Sequence, residues 1–463
     1  MFINGEWIRR EDLEVINPYS LEVIDKITSC SREETKYAIE VANEHKDVMK
    51  NLSPTKRYNL LFKIAEEIKK NKKELAKIIS LDAGKPIRQS IIEVDRTITT
   101  FKLSAFYARE LRGEVIPSER LIFTKREPVG VVGAITPFNF PLNLVAHKVG
   151  PAFAGGNTVV LHPSSKAPLI AIELAKIIEK VLKSMDIPLG VFNLVTGRGE
   201  VVGDEIVKNE NVNMVSFTGS VEVGESIAKN AGMKKITLEL GGSNPLIILK
   251  DCDLEKAVNA TVKSSYLNAG QVCISVGRVI VEDEIADEFI KRIVEKSESL
   301  KVGDPLDEKT DVGPLITLES AERVESLVNQ SVEEGGKVLC GGKREKTLYY
   351  PTVVEIDEDN ILAKVEIFGP VTPIIRVEGL DEAIEVANNT KYGLHAGVFT
   401  NDINKALMVA DALEVGGVMI NDSPTFRQDN MPFGGVKKSG LGREGVKYAV
   451  EEMTEIKTIV INR

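Results

Sequence analysis

Val129–Leu161, VGVVGAITPFNFPLNLVAHKVGPAFAGGNTVVL, decides the fold of this chain. Val129 to Ile135 is apolar apart from its glycines and too short for a stable helix, as a strand buried on both faces would be. Asn143 to Ala154 then reads as a helix, and Asn157 to Leu161 as a second strand. The alternation continues downstream. Ala167 to Lys183 is predicted helical, Val191 to Val195 and Val212 to Phe217 are predicted strands, Val221 to Ala231 is a helix, and Lys235 to Leu240 closes the series. Apolar strands separated by helices predict a parallel sheet covered on both faces.

Upstream, residues 58–112 follow a helical pattern. Leu60, Leu61, Ile64 and Ile68 recur at three- and four-residue steps, and Leu75, Ile78 and Ile79 repeat the stripe. Asp82-Ala83-Gly84-Lys85-Pro86 has the Gly and Pro that close a helix. Downstream, a second series begins near Pro245, with strands expected at Arg278–Val281, Val371–Arg376 and Gly397–Thr400. Thr454 to Ile461 alternates like a strand and is expected to pair with a hairpin near Gly113–Lys125. No internal repeat, low-complexity tract or long Pro/Gly/Ser linker marks a boundary.

The 463 residues suffice for two or three structural units, and 43% hydrophobic with 28% charged residues is an ordinary globular balance. A net charge of −10 without a dense Lys/Arg run argues against nucleic acid or an anionic membrane as partner. Cys30, Cys252, Cys273 and Cys340 are scattered without a CxxC, and His45, His147, His162 and His395 lack ligand spacing. Neither a disulfide framework nor a metal site is expected. The N-terminus carries no basic-then-apolar leader, and no apolar run is long enough to span a bilayer, so a cytoplasmic protein is expected.

The chemistry centres on Cys273, in Gly270-Gln271-Val272-Cys273-Ile274-Ser275, and on Glu239, in Leu238-Glu239-Leu240-Gly241-Gly242. A thiolate is a strong nucleophile and a carboxylate can activate water, so the pair suits formation and hydrolysis of a covalent acyl-enzyme. A lone cysteine is more often a small buried hydrophobe. Here its neighbours are those of a loop. Phe217-Thr218-Gly219-Ser220-Val221-Glu222-Val223-Gly224 lies between a strand and a helix, where glycine and free N–H groups can receive a phosphate. Its G-x-x-x-x-G spacing is not the common dinucleotide fingerprint, and taken by itself an ordinary strand–helix turn without a ligand is the favoured reading. Asn139, between two prolines in Thr136-Pro137-Phe138-Asn139-Phe140-Pro141, is either a turn residue or a donor to an oxyanion. Glu366-Ile367-Phe368-Gly369-Pro370 and Pro432 to Gly440, continuing to Gly442-Arg443-Glu444, are loop-like.

Taken together, these motifs resemble the aldehyde dehydrogenase superfamily over nearly the whole chain. The resemblance implies an α/β fold: a Rossmann-like parallel-sheet cofactor domain (1–112 and 127–241), an α/β catalytic domain (242–440), and a small β oligomerisation element (113–126 and 441–463). It also implies a homo-oligomer, either a dimer or a dimer of dimers. Cys273 would attack the aldehyde to give a thiohemiacetal, with the Asn139 amide and the Cys273 N–H as oxyanion hole. Hydride would pass to the nicotinamide, and Glu239 would activate the water that hydrolyses the thioester. Lys148 and Glu444 match a proton relay. Glu366 would hold the nicotinamide ribose beside Phe368, and Gly219, Ser220 and Gly224 would flank the pyrophosphate. Thr136, Pro137, Phe138, Leu240 and Gly241 would complete the cofactor cleft.

At the adenosine ribose the sequence departs from the family's Lys-Pro-Ser-Glu and reads His162-Pro163-Ser164-Ser165. Ser165 removes a carboxylate that would repel a 2′-phosphate, while His162 and Lys166 are expected to add positive charge, so NADP is permitted beside NAD. Val272, where phosphorylated-substrate branches often carry arginine, and Ile274 suit a small uncharged aldehyde, and the chain resembles the archaeal lactaldehyde dehydrogenase branch. Arg278 and Arg427 keep open an alternative, non-phosphorylating oxidation of glyceraldehyde 3-phosphate. A CoA-acylating dehydrogenase, a thiol hydrolase with a histidine partner and a non-catalytic NAD(P)-binding protein are the remaining alternatives.

Overall fold

The βαβ unit forms with strands Val131–Ile135 and Thr158–His162 flanking helix Asn143–Gly155. The structure, a computed structural model, describes residues 1–462. In its eight-stranded sheet the parallel strands run Phe192–Leu194, Thr158–His162, Val131–Ile135, Met214–Thr218, Lys235–Glu239. Phe2–Ile3 with Glu6–Trp7 extends one edge antiparallel, and Gly440–Leu441 extends the other. From Val131–Ile135 the chain steps outward through two strands, then returns to the opposite side with Met214–Thr218. Strand order therefore reverses between Val131–Ile135 and Met214–Thr218. Open parallel sheets bind ligands beyond the carboxyl ends of such a pair.

Both faces of this sheet are covered, as uninterrupted apolar strands require. Val132, Ala134, Val159, Leu161 and Met214 face a core shared with helices Pro54–Lys70, Lys72–Ala83, Ile87–Glu110, Asn143–Gly155 and Leu169–Ser184. Val131, Ile135, Val160, Val215 and Phe217 face the opposite core, which includes helices Arg32–Glu44, Val202–Lys208 and Val221–Asn230. Alternate residues reach alternate faces, the period of two of a strand. Gly84 ends Lys72–Ala83 in the left-handed conformation, at φ +69°, which is the role its sequence context predicts.

The second sheet has seven strands, ordered Lys337–Cys340, Thr352–Glu355, Val371–Val377, Val276–Glu282, Asn244–Ile248, His395–Phe399, Gly417–Ile420. All neighbours are parallel except the first pair. A separate three-stranded sheet joins Thr454–Ile461 to Leu121–Pro128 in antiparallel register, with Val115–Ile116 on the far side.

The division expected at residue 440 does not follow the packing. Gly440–Leu441 pairs with Leu238 and Glu239 in the first sheet, and Val446, Val450 and Met453 lie in the core on its helical side. An edge strand beside Lys235–Glu239 would otherwise present unpaired backbone next to the cleft. The β element at the C-terminus is thus Thr454–Ile461 alone.

A buried ion pair fixes the entry to helix Asn143–Gly155. Glu93 Oε2 accepts from Lys85 Nζ, while Oε1 accepts from the backbone N–H of Leu142 at 2.9 Å and of Asn143 at 3.1 Å. Lys85 also lies over the Phe140 ring, 3.7 Å from its centroid. The carboxylate therefore satisfies two donors at a helix start and one buried ammonium at once. Glu93→Ala strands that ammonium and is expected to cost about 3–5 kcal/mol of stability. Guanidinium unfolding followed by circular dichroism measures it. A loss below ~1 kcal/mol would mean that water or another acceptor replaces the carboxylate.

Candidate active site

Cys273 follows three consecutive left-handed residues, Asn268, Ala269 and Gly270, at φ +50°, +55° and +70°. Two of them are not glycine, so neighbours must hold the turn in place. Gly270 must be glycine on steric grounds too, since a Cβ there would lie 2.1 Å from the Gly369 carbonyl oxygen. Gln271, buried, donates from Nε2 to Asn268 O at 3.1 Å and accepts from Ile316 N–H at 2.9 Å. Asn244, at the start of strand Asn244–Ile248, donates from Nδ2 to the carbonyls of Cys273 at 2.9 Å and Ser275 at 2.7 Å. Its Oδ1 accepts from His395 N–H at 3.1 Å. The Asn139 loop is tied to the same turn, with Asn139 Nδ2 donating to Gln271 O at 3.0 Å and Asn268 Nδ2 to Asn139 O at 3.2 Å. The nucleophile candidate thus sits at the amino ends of the second sheet, facing the carboxyl ends of the first.

Cys273 lies where two cavities meet. The larger, about 590 Å³, brings it together with Glu239, Asn139, Pro137, Phe138, Lys166, Gly219, Ser220, Leu240, Gly241, Glu366 and Phe368. The smaller, about 110 Å³, is walled by Phe140, Leu144, Leu267, Val272 and Ile274, with Arg96 and Arg427. A third cavity of about 660 Å³ lies against Ile135, His162, Gly199, Gly203, Phe217 and Val223, and it shares Glu222 with the first. Helix Val221–Asn230 begins there, with Ser220 as its cap. Its positive end lies where the two large cavities meet, which suits the pyrophosphate of a dinucleotide with one nucleoside on each side.

Burial sets the charge states. It raises the Glu239 carboxyl well above its ordinary value, with Glu444 adding to the rise, and neither side-chain oxygen has a hydrogen-bond partner. Burial pushes the Cys273 thiol up to about 12, with Arg427 pulling the other way. Burial thus favours the protonated form of both groups, the form that a nucleophile or a general base would have to leave. Glu366 is pushed up to about 7 by burial against the Gly242 N–H donating to Oε1 at 3.2 Å. Lys148, fully buried, donates to Glu444 Oε1 at 2.7 Å and to Ser216 Oγ at 3.1 Å. Burial would raise Glu444, but Lys148, His147 and Arg427 together outweigh it and hold the carboxyl low.

Some expected site residues lie just outside the cavities. Thr136 donates its N–H to His162 O at 3.1 Å, and Gly224 packs its helix against the Leu240 side chain. Ser164 Oγ accepts from Lys166 N–H at 3.2 Å, and Ser165 is half-buried beside it. His162 does not supply the expected positive charge. It is buried, its Nδ1 lies 3.0 Å from Val195 O, and burial lowers its pKa to about 4. Lys166 alone, exposed beside the Phe138 ring, remains as a nearby cation of that motif. Arg278 is not available to a phosphate. Its guanidinium is buried and donates to the carbonyls of Val386, Ser243 and Ala387. Neither cavity around Cys273 is lined by a histidine, which removes the hydrolase-type Cys–His pair. Sequence reading missed Arg323, Lys391 and Tyr392 in the larger cavity and the Gly199–Val207 wall of the third. Arg323 sits on an ordinary amphipathic helix with no distinguishing signal.

Comparison with known proteins gives a consistent picture. Residues 7–459 match the profile of the Aldehyde dehydrogenase family. A lactaldehyde dehydrogenase of Methanococcus aeolicus is 69% identical over 463 residues, covering all of both chains. A lactaldehyde dehydrogenase of Methanocaldococcus jannaschii is 67% identical, again over the full length of both. The crystal structure of glyceraldehyde-3-phosphate dehydrogenase from M. jannaschii, complexed with NADP, superposes with a TM-score of 0.98. It is 66% identical and covers 98% of this chain and 100% of its own.

Glu239→Gln is expected to release one reduced cofactor per active site in a burst and then stall, because the base acts only on the later hydrolysis. Stopped-flow absorbance would read it, and sustained turnover at the parent rate would remove Glu239 from the role. In the parent, turnover should rise with pH through a value well above the usual carboxylate range. A carboxyl acting as a base works unprotonated, and burial raises the Glu239 carboxyl. A pH–kcat profile flat above pH ~5 would contradict this assignment.

Proposed function

The chain belongs to the aldehyde dehydrogenase family, and from that premise we propose that its NAD(P)-dependent reaction is the oxidation of lactaldehyde to lactate. The observation that carries the substrate reading is the cavity of about 110 Å³ beside Cys273, walled by Val272, Ile274 and Phe140. An apolar cavity of about 150 Å³ accepts benzene. A molecule of lactaldehyde's size suits the smaller volume, whereas a phosphorylated triose fills far more. The two lactaldehyde dehydrogenases at 69% and 67% identity support the same substrate. Glyceraldehyde 3-phosphate stands as a second reading, favoured by Arg427 in the cavity wall and by the name of the solved relative.

In this reading Cys273 Sγ gives up its proton to solvent and attacks the aldehyde carbon, and the oxygen of the thiohemiacetal accepts hydrogen bonds from the Asn139 amide and the Cys273 N–H. Bound oxidised nicotinamide supplies the hydride acceptor. Glu366, Phe368 and Phe138, which line the larger cavity, would hold that half of the cofactor, and Ser220 and Gly219 would receive its pyrophosphate. Glu239 then takes a proton from the water that attacks the thioester, which favours release of the acid over transfer to CoA. The buried Lys148–Glu444 pair lies close enough for both of its charges to act on the Glu239 carboxyl.

We further assign the three-stranded sheet to self-association as a dimer or a dimer of dimers. Val115, at 73% exposed, and Ile456, at 62%, leave apolar surface on both of its edge strands. Four unpaired cysteines suit a reducing, cytoplasmic compartment.

Steady-state assays of lactaldehyde, propanal and glyceraldehyde 3-phosphate, each with NAD and with NADP, test the substrate. The expected order of kcat/KM has lactaldehyde first, with Cys273→Ala inactive on all. A preference for the phosphorylated triose would replace the reading. Ser165→Glu tests the cofactor argument. Two like charges about 4 Å apart interact by ~4 kcal/mol at a dielectric near 20, less under salt screening, so NADP affinity should fall roughly 10- to 100-fold while NAD affinity holds. Dissociation constants at one ionic strength measure it. An unchanged ratio would remove Ser165 from the ribose.

A further inference from the structure

Several charged side chains around Cys273 have close ion-pair partners. Lys85 pairs with Glu93, Arg96 with Asp429 and Lys148 with Glu444. Arg427 faces only the far oxygen of Glu444, at 3.8 Å, outside hydrogen-bond range, and its side chain is 8% exposed. Its Nε and Nη2 are buried without any hydrogen-bond partner. The guanidinium is held over the Phe433 ring, 3.8 Å from the centroid. Arginine cannot discard its charge by losing a proton at physiological pH, and buried donors without acceptors are costly. Such an arrangement persists where a ligand brings the missing acceptor.

The cavity that Arg427 lines ends at Cys273. A small aldehyde whose carbonyl carbon meets Sγ must extend its remaining atoms into that space. We infer that Arg427 is the specificity residue of this cavity, donating to the oxygen on the carbon next to the aldehyde group. This rests on the 2-hydroxyaldehyde reading above and gives the mainly apolar cavity a means of telling lactaldehyde from propanal. A phosphate is a poorer fit. It calls for more than one cation, Arg96 is committed to Asp429 at 2.7 Å, and Arg278 is committed to three carbonyls. A single arginine partly balanced by Glu444 suits one neutral oxygen. Sites built to hydrogen-bond a substrate hydroxyl discriminate strongly against analogues that lack it.

The test compares Arg427→Met and Arg427→Lys with the parent on lactaldehyde, propanal and glyceraldehyde 3-phosphate. NADP binding by fluorescence serves as the check on folding, and Arg427→Lys provides a second variant that keeps the charge. The ratio of kcat/KM for lactaldehyde over propanal should fall roughly 10- to 100-fold in Arg427→Met, the scale of a hydrogen bond to a charged donor, and recover in part in Arg427→Lys. Equal losses on lactaldehyde and propanal would overturn the inference and make the arginine a partner of the thiol alone. A loss confined to glyceraldehyde 3-phosphate would overturn it in favour of a distal anion site. A parent enzyme that prefers the phosphorylated triose would instead sink the substrate reading on which the inference rests.

Discussion

Everything at this site depends on a short stretch of backbone that would not hold its shape alone. Asn268, Ala269 and Gly270 all adopt left-handed conformations immediately before the nucleophile segment. The energy that keeps them there comes from buried carboxamides. Asn244 grips the carbonyls of Cys273 and Ser275, Gln271 grips Asn268 and Ile316, and Asn139 grips Gln271. Each amide both donates and accepts inside a dry environment, where a satisfied network is stiff and a broken one is expensive. The same bonds connect three separate parts of the chain. Positioning of the thiol and docking of the two sheets are therefore one event.

That rigidity has an electrostatic counterpart. The site buries many ionisable groups, and most are neutralised by direct partners: Glu93 with Lys85, Asp429 with Arg96 and His147, and Glu444 with Lys148. Glu239 and Cys273 lack such partners, and burial favours their protonated forms, raising the carboxyl well above 4.5 and the thiol from 9.0 to about 12. A carboxyl whose proton affinity is raised by burial is better matched to taking a proton from water than an ordinary surface carboxylate. Arg427 is the remaining buried charge without a close partner, and it lines the cavity where a substrate must lie.

Much of this was legible in the chain. The strand Val131–Ile135, the helix Asn143–Gly155 and the strand Thr454–Ile461 lie within two residues of their expected bounds. A strand buried on both faces must be apolar throughout, and a helix must repeat near every third or fourth residue. The short strands Lys337–Cys340, Thr352–Glu355 and Gly417–Ile420 were not anticipated. They lie at or near the sheet edges, where mixed polar and apolar residues blur the pattern. In the loop at residues 432–440, Ser439 turns out to be a strut, with Oγ donating to Gly241 O and accepting from Gly393 N–H. Turn chemistry and site chemistry use the same residue types, so the sequence alone could not separate them.

The linear chain determined the fold class and the family, because periodicity and local motifs are properties of neighbouring residues. Only the tertiary structure decided what each charged group does. Arg278 and Arg427 look equivalent as arginines in the sequence, yet one is spent on three backbone carbonyls and the other keeps two free donors beside the thiol. His162 looks like a cation but is buried and neutral, and Gly440–Leu441 belongs to a sheet whose partner strand ends some two hundred residues earlier. The reason is physical. The charge and availability of a side chain depend on desolvation and on the partners within a few ångströms, and those are set by contacts between segments distant in sequence.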